Sequence, residues 1–357
     1  MEGSKIWNNY IYSYVTENNI KKFYDRFLEE FESEWIKFIS EYKFNNLCQL
    51  NNGNRLRPML VYWGFLLNKK NEVLFEINDE DLHIIINFCV MVEAIHKMSL
   101  LVDDWIDNDI ARHGSATFHT IYGADTTVLL AMNILLKGYM NLNNKLFSVN
   151  EQIYKSTMSL VFQIAYEMTL GALTEISSKD ATLSLKRVKE IIDLETSSII
   201  RNSLMIGYVV GSGNNSDVND LLDDIGFCCG YVFQALNDME AFGNSEELMK
   251  HKGMLTTDIL EDRKNLVIAY IYAWANKKEI KELKVTCESK KIFQSVNSLI
   301  SKYGIKEHML EEIENLQKRI DDRITKIEQI TKRSEWCKHF AKFIDITISA
   351  SKKRALG

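Results

Sequence analysis

Hydrophobic residues recur along most of this chain at spacings of three and four, which is the period of an α-helix. Near the N-terminus a stripe of aromatic residues predicts an amphipathic helix over residues 19–45: Phe23, Phe27, Phe31, Trp35 and Phe38. An aliphatic stripe predicts helices over residues 305–350: Met309, Ile313, Leu316, Ile320, Ile324 and Ile327. Strand-like alternation and internal repeats are not evident, so the pattern indicates an all-α protein.

Residues that break helices are scarce. The chain has 16 glycines and one proline, Pro58, among 357 residues, where average usage would give roughly 18 prolines. Such a sequence favours long helices, about ten or more in number. Because the composition does not shift along the chain, we predict a single domain over residues 1–357.

The most apolar stretch runs from Ile84 to Val102 and also carries Asn87, Glu93, His96 and Lys97. These side chains make it too polar to span a bilayer. We therefore expect no stable membrane insertion. The stretch instead predicts a helix buried inside the protein, with polar groups along one side.

Charge and cysteine usage exclude other classes of protein. A net charge of −6 offers no broad basic surface, which argues against a nucleic-acid partner. The six cysteines are scattered without the spacing of a metal site or a disulfide scaffold. The first residues lack the layout of a signal peptide. These features predict a cytoplasmic protein with reduced thiols.

An acidic run, Asp103-Asp104-Trp105-Ile106-Asp107, follows the apolar residues 100–102. On a helix Asp103 and Asp107 share one face, and Asp104 lies about a quarter-turn away. Burying such charges unpaired would cost several kcal/mol each, a cost that a bridging divalent cation removes. Mg²⁺ binds carboxylate oxygens together with phosphate oxygens. The run therefore predicts a diphosphate–metal site, although an exposed acidic helix end has the same pattern.

A second apolar helix, over residues 226–242, also ends in polar groups: Gln234, Asn237, Asp238 and Glu240. Holding a diphosphate and expelling it as a leaving group requires metals that are coordinated from more than one side. Two separated acidic helix ends in an apolar all-α chain meet that requirement. Taken alone, the second segment is also typical of a solvated helix terminus.

Over about residues 52–264 the chain resembles the trans-isoprenyl diphosphate synthases, also called polyprenyl synthetases. Several segments resemble the family's motifs and follow its order. They are Gly53–Pro58 (family GGKRxRP), Glu93–Asp107 (ExxHxxSLxxDDxxD), Arg112–Gly114 (RRG), the Phe233-Gln234 pair before the second aspartate-rich motif, and Asp258–Arg263 (DxxxGK).

The resemblance implies an all-α isoprenoid synthase fold around a central cavity, usually in a homodimer. It implies that the two acidic motifs hold Mg²⁺ ions, more than one, which bridge the diphosphate of an allylic substrate. Ionisation then gives a carbocation that isopentenyl diphosphate (IPP) attacks. The expected metal ligands are Asp103, Asp104, Asp107, Asn237, Asp238 and Glu240. The expected catalytic residues are Asp103, Asp104, Asp107 and Asp238.

Further roles follow from the same resemblance. The expected diphosphate-binding residues are Arg112, Gln234, Arg263, Lys264, Arg55, Arg57 and His96. Met98 and Ser99, which precede the first aspartate by five and four residues, are expected at the floor of the pocket for the prenyl chain. Because Ser99 is small, we expect a C15 or C20 substrate.

The chain also departs from the family pattern. Asn54 and His113 stand where the family has cations for IPP, and Glu195 replaces a lysine before Thr196. Residues 237–241 lack the first and last aspartates of the second motif. Each lost cation removes a charge-assisted bond to phosphate worth about 1.5–3 kcal/mol.

These departures lead to three functional hypotheses. The first is an enzyme that ionises an allylic diphosphate without using IPP, either as a terpene synthase or as a prenyltransferase with another acceptor. The second is an ordinary chain-elongating synthase of the farnesyl or geranylgeranyl type. The third is an inactive or regulatory subunit of a heteromeric synthase.

Overall fold

The computed structural model describes ten stretches of the chain: residues 11–17, 20–44, 47–68, 77–112, 114–145, 151–178, 184–212, 215–243, 264–285 and 289–356. After a short helix at 11–17, the first half contains α1 Lys21–Ile39, α2 Cys48–Asn51, α3 Leu56–Asn68, α4 Asp79–Ile106, α5 Phe118–Tyr122, α6 Ala124–Lys145 and α7 Glu151–Ile176. The second half contains α8 Leu185–Ile192, α9 Ser198–Ser212, α10 Ser216–Glu240, α11 Leu266–Trp274, α12 Lys277–Val285, α13 Ser289–Tyr303, α14 Ile305–Thr331 and α15 Ser334–Leu356. The predicted all-α class is confirmed.

Both predicted amphipathic regions are helical and bury their apolar stripes. In α1 the rings of Phe27, Phe31 and Trp35 are fully buried, and the Trp35 Nε1 donates a hydrogen bond to the Leu50 carbonyl at 3.0 Å. The region predicted at 305–350 consists of two helices, α14 and α15. Lys332 adopts a positive φ of 59°, which ends α14 and separates it from α15.

Helix α4 runs through the core, as its apolar sequence predicts. The Asn78 side chain caps its start by accepting a hydrogen bond from the Asp81 N–H at 2.8 Å. Although α4 is long and apolar enough to cross a membrane, 78% of its most apolar window is buried within the protein. Its interior charges, Glu93 and Lys97, are also buried.

Helices α3 and α9 cross with their backbones in contact. A Cβ at Gly207 would lie 1.8 Å from the Val61 carbonyl oxygen, and a Cβ at Gly64 would lie 2.1 Å from the Leu204 carbonyl oxygen. Only glycine fits at these two positions without moving a helix. The crossing fixes the distance between α3 and α9, each of which begins near the candidate site.

One short hairpin, β1 Ala111–Arg112 with β2 Ser115–Ala116, follows α4. The strands are antiparallel, with Arg112 opposite Ser115. Strand periodicity cannot be recognised in two residues, so the sequence did not predict it. The hairpin turns the chain back so that Arg112 lies against the end of α4.

Candidate active site

The first acidic motif lies at the C-terminal end of α4. The Asp107 N–H donates to the Asp103 carbonyl at 2.8 Å, so their side chains leave the helix on one face, as predicted. The Asp103 side chain is 58% exposed, and Asp107 is partly buried. Asp104 points inward and is only 2% exposed.

Asp104 binds Arg112 and Gln49 rather than solvent. Its two carboxylate oxygens accept hydrogen bonds from the Arg112 Nε at 2.5 Å and from the Gln49 Nε2 at 3.1 Å. Burial raises the pKa of Asp104 to about 6, against the opposing influence of Arg112. The Arg112 Nη2 also reaches Asp103 at 3.3 Å. Asp104 therefore holds Arg112 beside the exposed carboxylate of Asp103.

The donor set at this helix end fits Mg²⁺. Among the residues described, no three acidic, histidine or cysteine side chains are grouped closely enough to hold a metal by themselves. Mg²⁺ in phosphate-binding sites usually takes one or two carboxylates and completes its shell with water and substrate oxygens. Asp103 and Asp107, on one helix face, supply such a pair. A direct metal contact from Asp104 stays a prediction.

The second acidic motif forms the end of α10, where Asn237 is exposed, Asp238 is buried and Glu240 is partly buried. Asp238 accepts hydrogen bonds from the Gln234 Nε2 at 2.8 Å and from the Leu266 N–H at 2.6 Å. The predicted metal contacts of Asn237, Asp238 and Glu240 stay predictions. Through its contact with Leu266, Asp238 links the end of α10 to the first N–H group of α11.

Gln234 extends this connection to a third element. Its Oε1 accepts a hydrogen bond from the Thr196 hydroxyl at 2.9 Å, while its Nε2 donates to Asp238. Thr196 lies in a π-helical stretch, Asp193–Ser197, between α8 and α9. The diphosphate contact expected for Gln234 stays a prediction. Both ends of its amide already have hydrogen-bond partners within the protein.

Lys264 immediately precedes α11 and is largely buried. Its Nζ forms a salt bridge with Glu195 and lies 3.9 Å from Glu175. Its backbone N–H donates to Glu175 at 2.7 Å. Burial lowers the pKa of Lys264, but the two glutamates and, more weakly, Asp103 outweigh that effect and raise the pKa, so Lys264 remains charged. Arg263 and His113 lie outside the described residues.

A pair formed by Arg57 and His96 lies where α3 and α4 meet. The Arg57 Nη1 donates to the His96 Nε2 at 3.0 Å. The Arg57 Nε is buried and has no hydrogen-bond partner in the part of the chain that the structure describes. Burial lowers the pKa of Arg57 to about 10. Burial, with Arg57 and Lys97 close by, keeps the pKa of His96 well below its usual value, so its ring is neutral.

Arg55 lies in a buried group of ion pairs and hydrogen bonds. Its guanidinium donates to Glu32 at 2.7 Å, to Glu93 at 2.7 Å and to the Asn51 carbonyl at 2.6 Å. The residue is only 6% exposed, so its donors are already used within the protein. The predicted diphosphate contact of Arg55 stays a prediction, and the contacts observed show a structural role.

Met98 and Ser99, which are expected at the pocket floor, lie on α4 about one turn before the acidic motif. Met98 is buried and Ser99 partly buried, and the Ser99 hydroxyl donates to the His96 carbonyl at 2.9 Å. Ser99 is therefore held close to the Arg57–His96 pair. Their role in setting the length of the prenyl chain stays a prediction.

Sequence patterns did not identify three residues that organise the site. Gln49 binds Asp104 and also accepts a hydrogen bond from the Phe118 N–H at 2.9 Å. Lys97 donates to the backbone carbonyls of Gln49 and Asn52. Glu175 anchors the backbone of Lys264. Lys97 could have been noticed in the sequence as a charge within an apolar stretch. Gln49 and Glu175 could not, because nothing near them in the sequence indicates their contacts with distant segments.

Comparison with known proteins places these residues in a family. The polyprenyl synthetase family profile matches residues 34–302. A chloroplastic geranylgeranyl pyrophosphate synthase from Capsicum annuum is 30% identical over 213 residues, 57% of this chain and 54% of the relative. A farnesyl diphosphate synthase from Buchnera aphidicola is 26% identical over 268 residues, 71% of this chain and 84% of the relative. The chain thus spans about half the length of the pepper relative.

Solved structures share the fold. A geranylgeranyl pyrophosphate synthetase from Pyrococcus horikoshii has a TM-score of 0.69 at 20% identity and covers 91% of this chain and 98% of its own. A polyprenyl synthase from Caulobacter crescentus, in complex with calcium and isoprenyl diphosphate, has a TM-score of 0.71 at 18% identity over 91% of this chain and 96% of its own. With a family match over well more than half of its length, the chain belongs to the polyprenyl synthetase family.

Proposed function

We propose that this protein is a chain-elongating prenyltransferase that condenses IPP with an allylic diphosphate in the presence of Mg²⁺. The observation that carries the proposal is the Arg57–His96 pair, with a buried Arg57 Nε that has no protein acceptor among the described residues. A buried donor without a partner is costly, and a bound anion would remove that cost. The pair therefore supports a second anion site in addition to the one beside Asp103.

This proposal replaces the hypothesis that IPP is not used, which rested on cations missing at Asn54 and His113. The Arg57–His96 pair is present despite those losses, and Arg112 lies close enough to His96 to influence its pKa. The relatives named above are called synthases of geranylgeranyl or farnesyl diphosphate. Those names support elongation over cyclisation.

The proposed roles divide between the two anion sites. Mg²⁺, when bound, would stabilise the negative charge that develops on the departing diphosphate. Asp103 and Asp107 would hold the metal, while Arg112 would counter part of the remaining charge of the allylic diphosphate and Lys264 would lie beside it. Arg57 would bind the diphosphate of IPP, and neutral His96 would orient the Arg57 guanidinium.

One assay tests the reaction. The purified protein would be incubated with Mg²⁺ and C10, C15 or C20 allylic diphosphates, with and without IPP, and the products extracted with and without phosphatase. We expect longer prenyl diphosphates only when IPP is present. Hydrocarbon or alcohol formed without IPP and without phosphatase would contradict elongation and favour a terpene synthase.

Replacing Arg57 by leucine should lower kcat/KM for IPP by roughly tenfold to a hundredfold, the loss expected for one charge-assisted bond to phosphate. Steady-state kinetics should show little change in the KM of the allylic diphosphate, which binds at the other site. Arg187→Leu is the matched control, because Arg187 is exposed and forms a surface ion pair with Glu190 on α8. Equal losses for both substrates would contradict a dedicated IPP site.

We also propose that the protein forms a homodimer through an apolar face on α6 and α7. Large side chains on this face are 54–66% exposed: Leu129, Met132, Leu136, Met140, Phe162, Tyr166 and Leu173. The two helices are neighbours there, since the rings of Tyr139 and Phe162 stack with centroids 4.7 Å apart. A contiguous apolar surface of this kind marks an association site, and self-association through one patch gives a two-fold dimer.

A double replacement, Leu136→Glu with Met140→Lys, should convert the protein from dimer to monomer in sedimentation velocity. Both side chains are more than half exposed, so the fold of the protomer should be retained, as circular dichroism would verify. Ile330→Glu on α14 is a control outside the face, at a side chain that is 42% exposed. A wild-type monomer at micromolar concentration would contradict the homodimer and favour a heteromeric partner, as in the relative from Arabidopsis thaliana named a heterodimeric synthase large subunit.

A further inference from the structure

The local backbone and a neighbouring glycine make room for the side chain of Glu195 at the site. It lies within the π-helical stretch Asp193–Ser197, a type of local widening that is frequent at functional sites. Helix α7 carries Gly171 opposite it, and a Cβ there would lie 2.5 Å from the Glu195 Cγ. The missing side chain at Gly171 therefore makes room for the Glu195 carboxylate.

The carboxylate of Glu195 binds the ammonium group of Lys264 directly. Both side chains are mostly buried, with 18% and 12% of their surfaces exposed. Glu175, one helical turn after Gly171, holds the backbone N–H of Lys264 at 2.7 Å and lies 3.9 Å from its Nζ. Lys264 is thus held in one position by two glutamates.

The charges around Lys264 do not sum to zero. Glu175, Glu195 and Lys264 sum to −1. Burial raises the pKa of Glu195 against the opposing charge of Lys264, and the negative charges of Glu175 and Asp103 raise it further. A diphosphate would bring up to three more negative charges to the same place. Lys264 is already paired with Glu195, and Arg112 with Asp104 and Asp103. Among the described residues the charge of these cations is therefore already balanced, and a bound diphosphate needs further cations from solution.

We propose that Glu195 is a specificity-determining residue that makes diphosphate binding beside Lys264 conditional on divalent cations. It does so by positioning Lys264 while cancelling its charge, so an uncomplexed diphosphate is rejected and its magnesium complex is accepted. This inference rests on the proposed function for the location of the allylic diphosphate. Its test, however, measures binding and does not require turnover.

Inorganic pyrophosphate is a suitable probe because it carries the charge without the prenyl tail. Its binding would be measured by isothermal titration calorimetry with the full chain, first in EDTA and then over a series of Mg²⁺ concentrations. Glu195→Gln keeps an oxygen that can accept from Lys264 but removes the charge. We expect it to bind magnesium-free pyrophosphate about tenfold more tightly than wild type and to need less Mg²⁺ for half-saturation.

Two further variants separate charge from general structural effects. Glu190→Gln makes the same chemical change at an exposed position five residues earlier and should leave both measurements unchanged. Glu195→Ala removes the acceptor as well as the charge, and we expect it to bind magnesium-free pyrophosphate more weakly than Glu195→Gln because Lys264 loses its side-chain partner. An unchanged magnesium dependence in Glu195→Gln would overturn the proposal.

Activity distinguishes failure of this inference from failure of the proposed function. IPP-dependent elongation with no change of magnesium dependence in Glu195→Gln would overturn the role of Glu195 alone. A changed magnesium dependence in a protein that makes no elongated product would support the role of Glu195 and overturn the proposed reaction.

Discussion

Replacing Asp103 by asparagine should lower prenyl transfer by roughly a hundredfold to a thousandfold, the loss typical of removing one group that stabilises charge in the transition state. Asp103 is the most exposed carboxylate of its motif and lies on the face shared with Asp107. Because the side chain is 58% exposed, the free energy of unfolding should change by no more than about 0.5 kcal/mol. Steady-state kinetics and urea denaturation would measure the two quantities on the same preparation.

Asp79→Asn is the matched control for this prediction. It removes a carboxylate from the first turn of the same helix, at the opposite end from the site, where the Asp79 side chain is 99% exposed. Turnover should match wild type. If Asp103→Asn retained more than a third of the wild-type rate at saturating Mg²⁺, the metal-binding role of the first motif would be wrong.

Replacing Arg55 by methionine should destabilise the protein by about 3–5 kcal/mol, the usual cost of removing one partner from a buried ion pair. Glu93 is only 2% exposed and would keep Lys97, at 3.7 Å, as its remaining counter-charge. The Asn51 carbonyl would also lose its donor. The midpoint of urea denaturation would show the loss.

Adding Glu93→Gln to the Arg55→Met protein should restore part of that stability, because the buried negative charge is then gone. The single variant Arg187→Leu, at an exposed arginine, should change the unfolding free energy by less than about 1 kcal/mol. A stable Arg55→Met protein whose only defect is weak substrate binding would contradict the structural role and favour the expected contact between Arg55 and diphosphate.

The sequence was sufficient to predict features that depend on local periodicity. The aromatic stripe of α1, the buried helix α4 and the shared face of Asp103 and Asp107 all depend on spacings within one helix. The family could be recognised from the motif order, because those motifs keep their spacing within single segments. More than one helix was predicted over residues 305–350, but the position of the break at Lys332 was not, because nothing in its neighbours requires a positive φ.

Contacts between distant segments could not be read from spacing. Gln49 and Asp104 are separated by 55 positions, and Lys264 and Glu195 by 69. The sequence showed Glu195 only as a substitution that removes a cation, whereas the fold shows it bound to another cation. Likewise, Arg55 belongs to a motif whose resemblance implied a ligand for phosphate, and its two glutamate partners became apparent only when α1, α3 and α4 were assembled.

The backbone contact between α3 and α9 limits how the proposed site can diversify. Arg57 lies in the first turn of α3, and Glu195 and Thr196 immediately precede α9, while Gly64 and Gly207 hold the two helices together without any side chain between them. Repacking of core side chains therefore cannot bring the two proposed anion sites closer together or move them apart. Natural variation or laboratory evolution at this site should proceed instead by exchanging charged side chains at fixed positions, and Glu195 is one such position.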